Sequence, residues 1–139
     1  MKLASAQDLQ DRFGLDELVL VADRDRDGVP DAEVIDAALE DASSEIVALI
    51  AGAASIDTAN VPRNLVRICC NMARYYLYQG GPTEDVRARY DDGVKFLGLV
   101  RKGDAGLDGG AAAPAEIQSS PKAAATEPGS RIFRRGLGR

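Results

Sequence analysis

The chain contains no histidine and no tryptophan, and its only cysteines are the adjacent Cys69 and Cys70. The absence of histidine removes the most common general base and the most common metal ligand. Neighbouring cysteines on a helix point about 100° apart and rarely form a disulfide, so both are interpreted as small apolar residues of a core. No glycine-rich phosphate loop precedes a helix. The sequence therefore predicts that this protein is not an enzyme.

Aromatic residues and long apolar segments are also scarce, with aromatics making up 5% of the 139 residues. No apolar run approaches the length of a membrane span, and the first residues, MKLASAQDLQ, are too polar for a signal peptide. We therefore expect a soluble protein without membrane association, made in a reducing compartment. Residues 1–102 are long enough for one modest core of leucine, isoleucine, valine and alanine.

Charge is distributed unevenly along a chain whose net charge is −5. Residues 1–45 contain four basic and thirteen acidic residues, a balance of −9, whereas residues 61–102 contain eight basic and four acidic residues, a balance of +4. The two parts could attract each other within one subunit or between copies arranged head-to-tail. The alternative is two solvated faces of opposite average sign.

Apolar residues at helical spacing predict a mainly α fold, a small bundle of four to five helices with a long flexible C-terminal arm. Three longer helices are expected near residues 31–52, 62–79 and 83–102. Their apolar stripes comprise Val34, Ile35, Ala38, Leu39, Ala42, Ile46, Leu49 and Ile50; Leu65, Ile68, Cys69, Met72, Tyr75 and Tyr76; and Val86, Tyr90, Val94 and Leu97.

The ends of the helices are predicted from local signals. Ser5 resembles the first residue of a capping box, and Thr83 resembles the N-cap of the last helix. Gly80 and Gly81 are expected to cap the helix before it, because glycine accepts the left-handed conformation. Residues 15–22 are predicted to form a short helix, with a short buried strand as the alternative.

The segment from Asp23 to Asp31 carries the only pattern that suggests metal chemistry. Asp23, Asp25, Asp27 and Gly28 match positions 1, 3, 5 and 6 of an EF-hand calcium loop, and Asp31 falls on position 9. Position 12, which should supply a bidentate acid, is Val34. The loop therefore predicts weak calcium binding through Asp23, Asp25, Asp27 and Asp31. The alternative is a polar turn whose aspartates bond the backbone and begin the next helix.

The C-terminal part changes composition twice. Residues 103–130 are dominated by glycine, alanine, proline and serine, which predicts a flexible linker. Residues 131–139, RIFRRGLGR, combine apolar and basic side chains, the pattern of a tethered docking segment. Its predicted partner-binding residues are Arg131, Ile132, Phe133, Arg134, Arg135 and Leu137. The alternative is an arginine-rich terminus without a docking role.

Several of these segments together resemble a known family. They are residues 73–78 (ARYYLY) and 81–92 (GPTEDVRARYDD), the opening segment 8–14 (DLQDRFG), the aspartate loop leading into 42–46 (ASSEI), and 131–133 (RIF). Taken along the chain, they resemble the connector proteins, also called neck or head–tail adaptor proteins, of Mu-type tailed bacteriophages. None of the motifs is catalytic.

The resemblance implies a structural virion protein made in the cytoplasm of a bacterial host. Its expected role is a homo-oligomeric ring, with twelve copies to match the portal, that lies beneath the portal and joins head to tail. The expected partners are the phage portal protein and a tail-terminator or other neck protein. DNA would pass through the ring without specific binding.

Two other classes of function are kept open. One is a calcium-responsive helical binding module built on the Asp23–Asp31 loop. The other is a helical nucleic-acid-binding protein that uses Arg63, Arg67, Arg74, Arg87 and Arg89. The sequence pI of about 4.7 disfavours general affinity for DNA.

Overall fold

The computed structural model describes residues 1–108, of which 63% are helical. The five helices in this range are α1 (Ala6–Phe13), α2 (Leu15–Ala22), α3 (Ala32–Leu49), α4 (Arg63–Leu77) and α5 (Glu84–Lys102). The predicted mainly α fold is confirmed, and the strand alternative for residues 15–22 is wrong. None of these five helices combines the length and the apolar character that crossing a bilayer requires.

Two of the predicted caps are present. Ser5 forms a complete capping box, because its Oγ accepts the N–H of Asp8 at 3.2 Å and the Asp8 carboxylate accepts the N–H of Ser5 at 2.8 Å. Thr83 caps α5 by accepting the N–H of Val86. The predicted glycine cap of α4 is wrong. That helix ends before the glycines, at Leu77, and the residue after it has an extended backbone.

Helix α4 lies at the centre of the bundle and packs against both α3 and α5. The apolar stripes predicted from the sequence meet there. The largest fully buried side chains include Leu39, Ile46, Leu65, Ile68, Met72 and Leu97. Cys69 and Cys70 are free thiols within this core. Burial raises the pKa of the Cys70 thiol to about 12 and also raises that of Cys69, which agrees with their interpretation as inert core residues.

The N-terminal segment is fixed to the middle of α3 through Ser43. The hydroxyl of Ser43 accepts the N–H of Leu3 at 2.8 Å and donates to the carbonyl of Leu39 at 2.7 Å. Leu3 and Ala4 are buried beside it. Ser43 itself is fully buried, so these bonds satisfy a hydroxyl that would otherwise be costly to bury.

Helices α4 and α5 approach each other closely at Gly93, a buried glycine in the middle of α5. A Cβ atom at this position would lie 3.1 Å from Cγ2 of Ile68. Glycine within a helix costs about 1 kcal/mol relative to alanine. The side chain of Ile68 occupies the space that this glycine leaves free.

Packing continues past the predicted end of the domain at residue 102. Ala105 and Leu107 are partly buried and pack against the core. The remainder of the predicted linker, from residue 109, lies outside the described residues. The predicted docking segment, residues 131–139, lies outside them as well.

Candidate functional site

The aspartate loop connects α2 to α3 and brings three of the four predicted calcium ligands together. One carboxylate oxygen from each of Asp23, Asp25 and Asp27 lies within 4.8 Å of the other two. The turn requires two residues with positive φ, Arg26 at 66° and Gly28 at 90°. Glycine adopts this conformation readily, whereas arginine does so at a cost that the surrounding hydrogen bonds must offset.

The carboxylates of the loop accept backbone N–H groups of the same loop. Asp23 accepts the N–H of Asp27 at 3.1 Å and that of Gly28 at 2.8 Å. Asp25 also accepts the N–H of Asp27, at 3.1 Å, and Asp27 accepts the N–H of Val29 at 2.8 Å. This pattern is the aspartate turn that the sequence offered as the alternative.

Asp31, the fourth predicted ligand, does not join this cluster. Its carboxylate accepts the N–H of Arg24 at 2.8 Å, and its own N–H donates to the carbonyl of Ala22 at 3.0 Å. Both bonds close the loop where α3 begins. Val34, at the twelfth position, is partly buried against the core, and its side chain has no oxygen to offer a cation.

The surroundings of the loop shift the pKa values of Asp23 and Asp25 in opposite directions. Desolvation acts to raise the pKa of Asp23, but the N–H groups of Gly28, Arg26 and Asp27 and a bond with Asp25 outweigh it, so that pKa is lowered. The N–H of Asp27 acts to lower the pKa of Asp25. Desolvation and the neighbouring carboxylates outweigh this effect, and the pKa of Asp25 is raised.

A cation in this loop would find three protein carboxylates. Calcium prefers six to eight oxygen ligands, so carbonyl groups and water would have to supply the remainder. Asp25 and Asp27 are exposed, which makes such water accessible. The geometry therefore fits a weak site and does not fit a high-affinity EF-hand.

A second polar cluster, which the sequence analysis missed, joins α3, α4 and α5. The carboxylate of Glu45 accepts the hydroxyl of Tyr76 and that of Tyr90, the latter at 2.8 Å. Tyr75 stacks on Tyr90 with ring centroids 4.2 Å apart. Burial, followed by the hydrogen bond to Glu45, raises the pKa of both Tyr76 and Tyr90. We call Glu45, Tyr75, Tyr76 and Tyr90 the tyrosine cluster.

Arg74 forms the other junction between helices. Its guanidinium donates to both oxygens of Glu17 on α2, with Nη2 and Oε1 2.8 Å apart, and lies 3.4 Å from Asp85 on α5. It also lies over the ring of Phe13 on α1, 4.5 Å from its centroid. The hydrogen bond with Glu17 raises the pKa of Arg74.

Carboxylates pair with two of the five arginines of the nucleic-acid hypothesis. Arg74 is paired with Glu17 and Asp85, and Arg89 is paired with Asp85 at 3.1 Å. Two of the five charges are therefore neutralised by carboxylates. This neutralisation weakens the case for a basic surface that binds nucleic acid.

Comparisons with known proteins agree with the resemblance noted in the sequence. The family model described as "Bacteriophage Mu, Gp36" matches residues 4–126. "Gene product J" of Escherichia phage Mu is 36% identical over 130 residues, which cover 87% of this chain and 92% of that protein. "Mu-like prophage FluMu protein gp36" of Haemophilus influenzae is 36% identical over 80 residues, 54% of this chain and 57% of that protein. The chain therefore belongs to the bacteriophage Mu Gp36 family.

Proposed function

We propose that this protein is a structural head–tail connector of the phage particle. Copies of the chain form a ring beneath the portal and join the head to the tail. The observation that supports this most is the family match over residues 4–126, which contains the α4–α5 hairpin with its connector-like segments. On this proposal the protein is not an enzyme, and its function is to bind other chains of the particle.

The charge distribution supports a head-to-tail arrangement of the copies. Residues 1–45 have a balance of −9 and residues 61–102 a balance of +4. A contact between two different surfaces of the same protein is heterologous, and such contacts form closed rings when their rotation closes. We propose twelve copies, matching the portal.

The proposed partners are the portal protein on one side and a tail-terminator or other neck protein on the other. The protein is made in the cytoplasm of the bacterial host and resides in the virion. DNA passes through the ring without specific binding, since an acidic chain offers little affinity for phosphates. Residues 131–139 serve as a tethered docking segment for one of these partners.

Deleting the gene from its phage should leave filled heads and separate tails, because the component that joins them is missing. Electron microscopy of induced lysates measures the fraction of joined particles. Supplying the full chain from a plasmid should restore joining, and a chain that lacks residues 131–139 should restore it poorly. Normal tailed particles from the deletion strain would overturn the connector role. Full restoration by the truncated chain would overturn only the docking segment.

The clustered oxygens of Asp23, Asp25 and Asp27 favour a second candidate, a calcium-responsive binding module. Titration calorimetry should show weak binding of calcium, at about millimolar concentration, because few protein ligands are available. Asp25→Ala should abolish the heat. Asp57→Ala is the matched control, because Asp57 also accepts a backbone N–H in a loop, from Ala59 at 2.9 Å. Absence of heat from the unmodified chain would leave the loop as a turn only.

A further inference from the structure

A pocket with a volume of about 550 Å³ opens between α1, α4 and α5. Its walls include Arg12 and Phe13 from α1, Arg67 and Asn71 from α4, and Ala88 and Arg89 from α5. Three arginines and one asparagine thus line a single opening. No part of the Asp23–Asp31 loop or of the tyrosine cluster is among its walls.

Asn71 is the unusual residue of this pocket. It is 6% exposed, and within residues 1–108 its side-chain amide has no hydrogen-bond partner. Buried polar groups in folded proteins are nearly always hydrogen-bonded, because leaving one unsatisfied is costly. The amide of Asn71 is therefore placed to bond with a group that enters this pocket.

The charges of the pocket indicate that this group is an anion. Within the described residues neither Arg12 nor Arg67 forms an ion pair, and Arg67 donates to Asn64 at 2.6 Å. Asp85 and Asp92 also line the pocket. Asp85 is already engaged by arginines at 3.1 and 3.4 Å. One remaining carboxylate therefore faces two unpaired guanidinium groups, and a carboxylate ligand is favoured.

The chain itself presents carboxylates of the required kind on α3. Glu33, Glu40 and Asp41 are exposed, and within residues 1–108 none of them has an ion-pair partner. Ala37 and Ser44 on the same exposed side are small and allow close approach. All the lining residues of the pocket belong to α1, α4 and α5. These acids would therefore reach such a pocket most directly in another copy.

We propose that this pocket receives a carboxylate from the exposed side of α3 of a neighbouring copy. The amide of Asn71 and the guanidinium groups of Arg12 and Arg67 donate to that carboxylate. Because the donor and the acceptor lie on different surfaces, the contact is heterologous and can repeat around a ring. The inference rests on the proposed connector ring and gives that ring a specific interface.

A cross-link between the two surfaces tests the arrangement directly. The full chain carrying both Ala37→Cys and Ala88→Cys is supplied to the gene-deleted phage, and purified particles are treated with a short bismaleimide. Ala37 lies on the exposed side of α3, and Ala88 lines the pocket. The doubly substituted chain should give a ladder of dimers, trimers and larger multimers. Each single substitution should give no ladder, because Cys69 and Cys70 are buried.

Asn71→Leu should weaken the contact between copies without lowering the stability of the fold. Leucine fills a similar volume without an unsatisfied amide, so the melting temperature of the purified chain should stay the same or rise. The number of joined particles should fall about tenfold, because charge-assisted bonds to the incoming carboxylate are weakened. Arg67→Gln, at an exposed position, should have the same effect on joining and provides a variant that folds in any case. Arg63→Gln, also exposed on α4 but outside the pocket, is the control and should join particles normally.

The outcomes separate this inference from the connector role. If deletion of the gene separates heads from tails while Asn71→Leu and Arg67→Gln join them normally, the inference is overturned and the connector role stands. If glutarate raises the melting temperature of the unmodified chain but not of Asn71→Leu, and no ladder forms, the pocket binds a small free anion and the inference is overturned. A ladder together with the loss of joining in both pocket variants supports it.

Discussion

Ile46→Asp is expected to abolish the folded state at room temperature. Ile46 is 0% exposed and lies where α3 packs against the centre of the bundle. An aspartate there would place an unpaired charge in the core. The expected loss of unfolding free energy exceeds about 4 kcal/mol, which only the most disruptive substitutions reach. A domain of this size is stabilised by only about 5–15 kcal/mol in total. Far-UV circular dichroism and thermal melting measure the result.

Val47→Asp is the matched control for that substitution. The neighbouring residue on the same helix is 39% exposed, so its aspartate remains solvated. It should retain a cooperative melting transition close to that of the unmodified chain. Met72→Asp, at a fully buried position on α4, should behave like Ile46→Asp. A folded Ile46→Asp protein with an unchanged melting temperature would contradict the assigned helix faces.

Glu45→Ala is expected to have the next largest effect, a loss of about 2 kcal/mol of unfolding free energy. The substitution removes the acceptor shared by Tyr76 and Tyr90 and leaves two half-buried hydroxyl groups without it. Each unsatisfied group costs about 1–3 kcal/mol when fully buried, and partial access of water reduces the sum. Urea denaturation of both proteins measures the difference.

The exposed neighbour on the same helix supplies the control for Glu45. Ser44→Ala should leave the free energy of unfolding nearly unchanged, because it removes no contact of the tyrosine cluster. A double-mutant cycle with Tyr90→Phe isolates the bond itself. The two substitutions should together cost less than the sum of their separate effects. Additive costs would mean that the hydroxyl and the carboxylate do not stabilise the fold through each other.

Much of the fold could be predicted because its signals are local or periodic. The repeat of apolar residues identified α3, α4 and α5, and the capping box at Ser5 marked the beginning of α1. The end of α4 could not be located from Gly80 and Gly81. A glycine permits a left-handed cap, but the tertiary contacts of the preceding residues decide where the helix stops.

The polar contacts between helices were harder to predict from the sequence. A buried tyrosine hydroxyl needs a partner, and this was the only signal for the tyrosine cluster. Nothing in the local sequence singles out Glu45 among the many acids of α3, since its partners come from helices 31 and 45 residues away along the chain. The same holds for Arg74 and Glu17, and for Asn71, whose side-chain amide has no hydrogen-bond partner within residues 1–108. Such features depend on how the helices are placed, which periodicity does not specify.

The close approach at Gly93 has a consequence for how members of the family can diverge. The Cβ of an alanine there would lie 3.1 Å from Cγ2 of Ile68, so the isoleucine would have to shift by a few tenths of an ångström. Leucine or methionine at position 68 has no branch at Cβ and would remove that methyl group. We therefore expect positions 68 and 93 to vary as a pair across lineages. A larger residue on α5 becomes acceptable once the β-branched residue on α4 has been lost.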